Sequence, residues 1–153
     1  MKLRLIAVGG VREPYIAQAA ADFRRRLQRM TPYEEQEVAA ANGREPVRAM
    51  REEAERVLRA LAPGDIVWLL ERSGRSFSSV ELAERLAALE LGGARRLTLI
   101  VAGTYGADPS LIERADLCWS LSPLTFLHEW ARAIAIEQLY RATKIRRNEP
   151  YNH

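Results

Sequence analysis

Short apolar runs that alternate with longer helix-like stretches constrain the fold of this chain most strongly. Asp65–Leu70 and Arg96–Ala102 are nearly continuous in apolar residues, as expected of strands that are covered on both faces. Leu3–Val8 and Leu117–Leu121 are also predicted to be strands, and Tyr33–Ala39 can form a polar edge strand. This alternation of strands and helices predicts an α/β fold with a mainly parallel sheet and helices on both faces.

Helices are predicted between these strands from apolar periodicity and from residues that favour a helix start. Pro14 suits a first helical turn, and Ser78 with Glu81 forms a capping box. Asp108 precedes Pro109 and can cap a short helix. The predicted helices are Tyr15–Met30, Pro46–Leu61, Ser79–Leu91 and the short one after Asp108, and the segment Glu71–Arg75 is predicted to be a loop.

The last helix, from Trp130 to Ala142, is apolar on most of its faces. A surface helix carries a single apolar stripe, so this pattern indicates burial on more than one side. One side can be the sheet, and we assign the other to a second copy of the chain because cyclic dimers are the commonest oligomers. A central core helix in a monomer is the alternative. Ser122 or Thr125 can cap the start of this helix, and Glu129 falls near its first turn.

Composition limits the classes of protein to which the chain can belong. Its 153 residues fit one domain, residues 1–153, with apolar and charged fractions ordinary for a soluble globular protein. The apolar run around Ile6 is too short for a signal peptide or a membrane span, so we expect a cytoplasmic protein with no membrane partner. The single Cys118 cannot form an internal disulfide and is interpreted as a core residue. Two histidines and one cysteine show no metal-site spacing, and we expect no bound metal.

A basic tail follows the last helix. The net charge of the chain is +3, which favours anionic partners. Cations followed by an aromatic residue suit a phosphate backbone and a base that stacks on the ring. Ordinary helix-end cations on a solvated C-terminus are the alternative interpretation. The residues concerned are Arg141, Lys144, Arg146, Arg147 and Tyr151.

Three predicted strand ends carry residues that can surround a ligand. In parallel sheets, ligands bind at the carboxyl ends of the strands. Here those ends are Leu70-Glu71, Gly103–Gly106 and Ser120–Thr125. Glycines in such loops let the backbone approach a ligand closely. Gly9-Gly10, after the first strand, lacks the full GxGxxG pattern, which argues against a dinucleotide-binding domain.

Four stretches of the chain match the motifs of one known family in order and spacing. They are MKLRLIAVGG at the N-terminus, LERSGRSFSSVELA from residue 70, VAGTYG from residue 101, and LSPLTFLHEWARAIAIEQLYRATKI with EPY near the C-terminus. On these motifs the chain resembles the ribosomal RNA large subunit methyltransferase H family, a small member of the SPOUT class of knotted methyltransferases. The resemblance covers essentially the whole length.

The resemblance implies an enzyme that uses S-adenosylmethionine to methylate N3 of a pseudouridine in 23S ribosomal RNA, on the ribosome. It also implies a homodimer and a C-terminal trefoil knot, which periodicity alone would not suggest. Two other functions stay open: a ribosome-binding or assembly factor of the same fold without catalysis, and a transfer-RNA methyltransferase. The family's cofactor positions correspond here to Leu70, Gly103, Ser122, Pro123, Leu124, Thr125, Phe126 and Leu127.

Further family positions fall on His128, Arg132 and Arg141. His128 is grouped with the RNA or interface positions, and orientation of its loop is favoured over proton transfer as its role. The two arginines, like Arg146 and Arg147 of the tail, are assigned to RNA phosphate or to the partner subunit.

Methylation at N3 requires loss of a proton, which a general base would assist. The candidates are His153, the terminal carboxylate on that residue and Glu137, for which pairing with an arginine is the favoured role. The family ends in Pro-Tyr-His, whereas this chain ends in Pro-Tyr-Asn-His. Either Asn152 takes the role of the family's histidine, or His153 does so after a shift of one residue. Asparagine can hydrogen-bond a base but cannot accept its proton near neutral pH. Tyr151 can stack on the target base or pack loosely in the tail.

Overall fold

Strands and helices alternate along residues 1–151, the part of the chain that the computed structural model describes. None of the helices in this part is long and apolar enough to cross a membrane. The elements in chain order are β1 (Lys2–Val8), α1 (Pro14–Gln28), β2 (Tyr33–Val38), α2 (Pro46–Ala60), β3 (Ile66–Arg75), α3 (Ser79–Leu91), β4 (Arg96–Val101), α4 (Pro109–Arg114), β5 (Leu117–Trp119) and α5 (His128–Arg146).

The strands form one sheet in the order β2-β1-β4-β3-β5, and every neighbouring pair is parallel. The predicted α/β fold with a mainly parallel sheet is therefore confirmed. β2 lies at one edge of this sheet, and its central residues, Glu34 to Glu37, are polar or charged. The prediction of a polar edge strand is confirmed as well.

The side chains of β1 divide between two cores, because successive residues of a strand point to opposite faces. Leu3, Leu5 and Ala7 belong to a core with residues of α1, α3 and α5. Ile6 and Val8 belong to a second core with residues of α2 and α4. Helices therefore cover both faces of the sheet, as predicted, and this explains the nearly continuous apolar run of β4.

The predicted helix starts are confirmed for α3 and α4. The Ser78 hydroxyl accepts a hydrogen bond from the backbone N–H of Glu81, and the Glu81 carboxylate accepts one from the backbone N–H of Ser78. The Asp108 carboxylate accepts from the backbone N–H of Ser110 at 3.0 Å. Each contact satisfies a backbone donor that the first turn of a helix leaves without a partner in the helix.

β3 is longer than predicted, and the prediction of a loop at Glu71–Arg75 is wrong. These residues continue the strand, which pairs with Trp119 of β5 after an irregularity between Leu70 and Arg75. Gly74 suggests a turn in the sequence, but in the structure it allows two backbones to approach closely. A Cβ atom at this position would lie 2.4 Å from the carbonyl oxygen of Cys118. Within a strand, glycine often marks such an approach.

α5 shares the core on one face of the sheet with α1 and α3, and it contacts both helices. Its burial on several sides therefore comes from elements of the same chain. The apolar pattern of this helix carries no argument for a partner subunit, and the homodimer stays a prediction from the family resemblance.

The cap predicted for α5 is also wrong. The helix begins at His128, and Leu127 before it makes no side-chain capping bond. Ser122 and Thr125 lie too far upstream to reach the first turn. Glu129 does lie in the first turn, as predicted, and its carboxylate accepts a hydrogen bond from the backbone N–H of Glu13 at 3.1 Å. The first turn of α5 is therefore tied to the start of α1.

Candidate active site

A cleft of about 440 Å³ lies at the carboxyl edge of the sheet. Because β3, β4 and β5 are parallel, the residues that follow them meet at this edge. All three predicted strand-end segments line the cleft: Leu70 with Glu71, the turn Gly103–Gly106, and the loop between Leu121 and Phe126. The first turns of α5 close another side through His128 and Ala131.

The turn after β4 is held by its two glycines. The backbone N–H of Gly106 donates to the carbonyl oxygen of Gly103 at 3.0 Å, and Gly106 has a φ of +92°, which favours glycine. Gly103 lies directly on α2. A Cβ atom there would lie 2.4 Å from Oε2 of Glu53 and 3.0 Å from Cγ1 of Val8. Glu53 is buried, and this burial raises the pKa of its carboxyl group.

The loop after β5 is organised by hydroxyl groups. The Ser120 hydroxyl donates to the carbonyl oxygen of Ser122 at 3.1 Å, and the Ser122 hydroxyl accepts from the backbone N–H of Leu124 at 3.1 Å. The guanidinium of Arg72 donates to Oγ1 of Thr125 at 2.6 Å. Arg72 belongs to the extension of β3, so this extension and the loop form two walls of one cleft.

Sequence reasoning missed an aromatic group beneath the cleft. Trp119 lines the cleft and stacks on Phe77 with ring centroids 5.6 Å apart. Trp68 meets Trp119 edge-on at 6.3 Å. The available signal was the position of Trp119, which directly precedes the loop that begins at Ser120.

The predicted cofactor residues are mostly brought together at this cleft. Pro123 and Leu127 belong to the same loop but do not line it. Within residues 1–151, no group of His, Cys, Asp and Glu side chains forms a cluster that could hold a metal ion. The predicted residues that line the cleft are Leu70, Gly103, Ser122, Leu124, Thr125 and Phe126, together with His128.

Arg132, which the family resemblance assigned to RNA or to a partner subunit, forms ion pairs inside the chain. Its side chain is buried behind the first turn of α5, where Nη2 lies 2.8 Å from Oε2 of Glu35 and Nη1 lies 2.8 Å from Oε1 of Glu37. Burial lowers the pKa of Arg132, but its bonds with the two carboxylates raise it by more. Arg132 therefore pairs with β2 inside the chain.

The tail lies at the opposite end of α5 from the cleft. The ring of Tyr151 meets that of Tyr140 at 4.8 Å, and the guanidinium of Arg141 donates to the carbonyl oxygen of Tyr151 at 2.9 Å. Tyr140 is twelve positions after His128, or about 18 Å along the helix. Asn152 and His153, the other predicted catalytic residues, lie outside the described residues.

The remaining tail residues are engaged in ion pairs within the chain. Glu137 pairs with Arg141 at 2.7 Å, which confirms the arginine partner favoured for this carboxylate. Arg146 pairs with Glu90 of α3, and Arg147 lies 4.0 Å from Glu149.

Comparisons with known proteins agree with this architecture. Residues 1–153 match the family model described as "Predicted SPOUT methyltransferase". The chain is 42% identical to "Ribosomal RNA large subunit methyltransferase H" of Solidesulfovibrio magneticus, over 99% of this chain and 98% of that protein. It is 40% identical to the protein of the same name from Syntrophotalea carbinolica, over 100% and 99%.

Solved structures show the same fold at low sequence identity. A probable methyltransferase from Bordetella pertussis has a TM-score of 0.58 at 17% identity, over 93% of this chain and 96% of that one. A probable methylase family protein from Haemophilus influenzae has a TM-score of 0.58 at 12% identity, over 99% of this chain and 70% of that one. With the full-length match to the family model and to the relatives above, these likenesses show that the chain belongs to the SPOUT methyltransferase family.

Proposed function

We propose that this chain uses S-adenosylmethionine to methylate N3 of a pseudouridine in 23S ribosomal RNA, acting on the assembled ribosome in the cytoplasm. The observation that carries the proposal is the meeting of three strand-end loops in one cleft, in a chain that matches the named relatives over its whole length. The pseudouridine and the ribosome as substrate follow from the family resemblance.

The cleft fits a methyl donor of this size and chemistry. Its volume of about 440 Å³ lies in the range of small-molecule sites, about 300–1,000 Å³. Leu70, Val101 and Trp119 supply apolar surface for an adenine ring, and the backbone of the loop after β5 supplies polar groups for its edge. Gly103 adds no side chain to the cleft wall. Bound S-adenosylmethionine would supply a methyl group on a sulfonium, which is a good leaving group.

Positioning is then the main contribution of the protein to the reaction rate. The bond from Arg72 to Thr125 holds two walls of the cleft at a set distance. The turn Gly103–Gly106, closed by its own hydrogen bond, sets the third wall. These contacts keep the loops in place before either substrate binds.

The proton on N3 must leave as the methyl group arrives. Glu137 is held by Arg141 in an ion pair, and this side chain is engaged within the chain. We therefore assign proton removal to His153, with Asn152 able only to hydrogen-bond the target base. Tyr151 is assigned to the orientation of that base.

We extend this assignment to a second copy of the chain. Tyr151 is anchored on Tyr140, about 18 Å along α5 from the first turn that lines the cleft. The described part of the tail is thus anchored away from this first turn, which supports a role for the tail in the cleft of a second chain. The proposed enzyme is thus a homodimer in which the tail of one subunit completes the cleft of the other. The knot implied by the family resemblance remains part of this proposal.

The test is methyl transfer from labelled S-adenosylmethionine to ribosomes that lack the modification, followed by mapping of the labelled nucleoside. Label on a large-subunit pseudouridine is the expected result. Binding to ribosomes without transfer would favour an assembly factor, and label on transfer RNA would favour a transfer-RNA methyltransferase. Ala131→Trp, which fills the cleft from α5, is the matched control and should bind ribosomes without transferring label.

A further inference from the structure

A small, partly enclosed cavity lies behind the first turn of α5, beside the cleft. Its volume for a water-sized occupant is about 10 Å³. One buried water requires about 10–15 Å³ measured in this way. Gly9 and Gly10, which have no place in the proposed cofactor site, form one wall of the cavity. The other lining residues are Ala7, Val8, Val11, Val101, His128, Glu129 and Arg132.

Two buried nitrogen atoms of the lining residues have no hydrogen-bond partner within residues 1–151. They are Nε of Arg132 and Nδ1 of His128. Arg132 is only 4% exposed, so bulk water does not satisfy its donor. The two residues are four positions apart on α5, which places them on one face of the helix in successive turns.

The guanidinium of Arg132 cannot turn to satisfy this donor in another way. Both of its terminal nitrogens are held at 2.8 Å, one by Glu35 and one by Glu37. Glu37 in turn lies beside Gly10, where a Cβ atom would be 3.5 Å from Oε2 of the carboxylate. The donor on Nε therefore points in a direction that β2 determines.

No side chain of the other walls forms a hydrogen bond with either of these two nitrogens among the described residues. The lining side chains from β1 and β4 are apolar. The Glu129 carboxylate accepts from the backbone N–H groups of Arg12 and Glu13, and is held at the start of α1. A buried donor without an acceptor is costly, so a small polar molecule in the cavity is strongly favoured.

We propose that one ordered water in this cavity joins Arg132 to His128, and that Arg132 is thereby a positioning residue for the cofactor cleft. The water accepts a hydrogen bond from Nε–H of Arg132 and donates one to Nδ1 of His128. His128 then carries its proton on Nε2. Because His128 also lines the cleft, the bridge sets which way its ring presents a donor there. The family resemblance assigns Arg132 to RNA or to the partner; this inference gives it a different role.

A high-resolution crystal structure of the full chain tests the water directly. The expected result is a density peak within hydrogen-bond distance of both Arg132 Nε and His128 Nδ1. An empty cavity, or a His128 ring turned so that Nδ1 bonds a protein group, would overturn the proposal. This test needs neither cofactor nor activity.

Arg132→Lys tests the positioning role, with Arg24→Lys as the matched control. A lysine at position 132 still reaches Glu35 but has no Nε–H at the cavity. Arg24 pairs with the same carboxylate at 2.7 Å and also has a buried Nε without a partner within residues 1–151, but it does not line the cavity, so it reports the same substitution away from the cavity. We expect Arg132→Lys to weaken binding of S-adenosylmethionine about fivefold, the effect of one net hydrogen bond, and Arg24→Lys to leave it unchanged.

A second readout separates positioning from general loss of structure. The imidazole signals of His128 in a nitrogen-15 spectrum should shift in Arg132→Lys and not in Arg24→Lys, and His153 is the one other histidine to assign. Equal changes in both variants would overturn the inference. The cofactor part rests on the proposed function, and a wild-type chain that does not bind S-adenosylmethionine would contradict that function while leaving the water test intact.

Discussion

At the scale of the residue, close packing rather than backbone freedom explains why Gly103 is a glycine. The side chain of Glu53 fills the space where a Cβ atom would stand. Glu53 is 6% exposed, and Cγ1 of Val8 would lie 3.0 Å from the same Cβ atom. The turn that lines the cleft is therefore positioned by α2, from the opposite face of the sheet.

Gly103→Ala should destabilise the chain by about 1–3 kcal/mol, because the new methyl group overpacks a buried site. The same variant should bind S-adenosylmethionine less tightly, since the turn must move to relieve the contact. Urea unfolding and calorimetry measure the two effects. Gly43→Ala is the control, because a Cβ atom there meets nothing within 4 Å, and it should change stability by less than about 0.5 kcal/mol. Equal stability of the two variants would contradict this account.

Glu35 is the carboxylate on which the pairs of Arg24 and Arg132 converge. Burial raises the pKa of Glu35, but its hydrogen bonds with the two arginines lower it by more, so the pKa lies below its ordinary value of 4.5. A carboxyl group with a lowered pKa in the folded state stabilises the fold above its unfolded pKa. That contribution is lost as the pH falls through the folded pKa.

Glu35→Gln should therefore lower the free energy of unfolding by about 3 kcal/mol at neutral pH, because it leaves buried cations without their partner. The difference in unfolding free energy between variant and wild type should shrink as the pH falls below 4.5, the ordinary pKa of the group. Chemical unfolding across this pH range measures it. Glu34→Gln, on the same strand but 43% exposed, should cost less than about 1 kcal/mol. A difference for Glu35→Gln that is constant with pH would contradict the ion-pair explanation.

At the scale of the element, the extension of β3 connects the sheet to a wall of the cleft. The extended strand places Arg72 opposite Thr125 and brings Gly74 against the backbone of β5. The backbone N–H of Ser120 donates to the carbonyl oxygen of Arg75 at 2.9 Å, which holds the start of the loop after β5. The loop after β5 is thus anchored at both ends by one strand.

Gly74→Ala should disrupt this pairing. Its Cβ atom would lie 2.4 Å and 2.6 Å from the carbonyl oxygen and carbon of Cys118, and backbone atoms cannot turn away as a side chain can. We expect a loss of about 3 kcal/mol or more in unfolding free energy, and loss of cofactor binding. Thermal unfolding and calorimetry measure both. Ser73→Ala, one position earlier in the exposed part of the strand, should retain cofactor binding; if it fails equally, the close approach at Gly74 is not the cause.

At the scale of the whole molecule, α5 separates the cleft from the tail. Its first turn lines the cleft, and its last turns carry the anchor for Tyr151. The helix contacts both α1 and α3. The proposed homodimer would bring the tail of one subunit to the cleft of the other.

Subunit complementation tests this arrangement. Ala131→Trp blocks the cleft and keeps the tail, whereas a chain that ends at Glu149 keeps the cleft and lacks the tail. Each should be inactive alone. After equal mixing and random exchange, about a quarter of the wild-type sites should be restored, since half the dimers then carry one complete site of two. Methyl transfer to ribosomes measures this; a mixture as inactive as its components would show that the tail serves its own chain.

Local signals in the sequence determined the elements and the chemistry of the strand ends. Apolar runs, the Ser78 capping box and Asp108 act over a few residues, so they predicted the strands, the helices and the parallel sheet. The parallel sheet in turn predicted that Leu70, Gly103 and Ser122 would meet at one edge, which they do. Motif spacing indicated the family, and the full-length relatives confirmed it.

Tertiary structure alone decided the contacts between residues far apart in the chain. The apolar faces of α5 could be covered by a partner or by α1 and α3, and only the packing selected the latter. Gly74 could end a strand or admit a close backbone, and Arg132 could face RNA or pair with Glu35, 97 positions away. These outcomes depend on which surfaces fold together, because a local pattern states what a residue can contact and not which neighbour the fold brings to it.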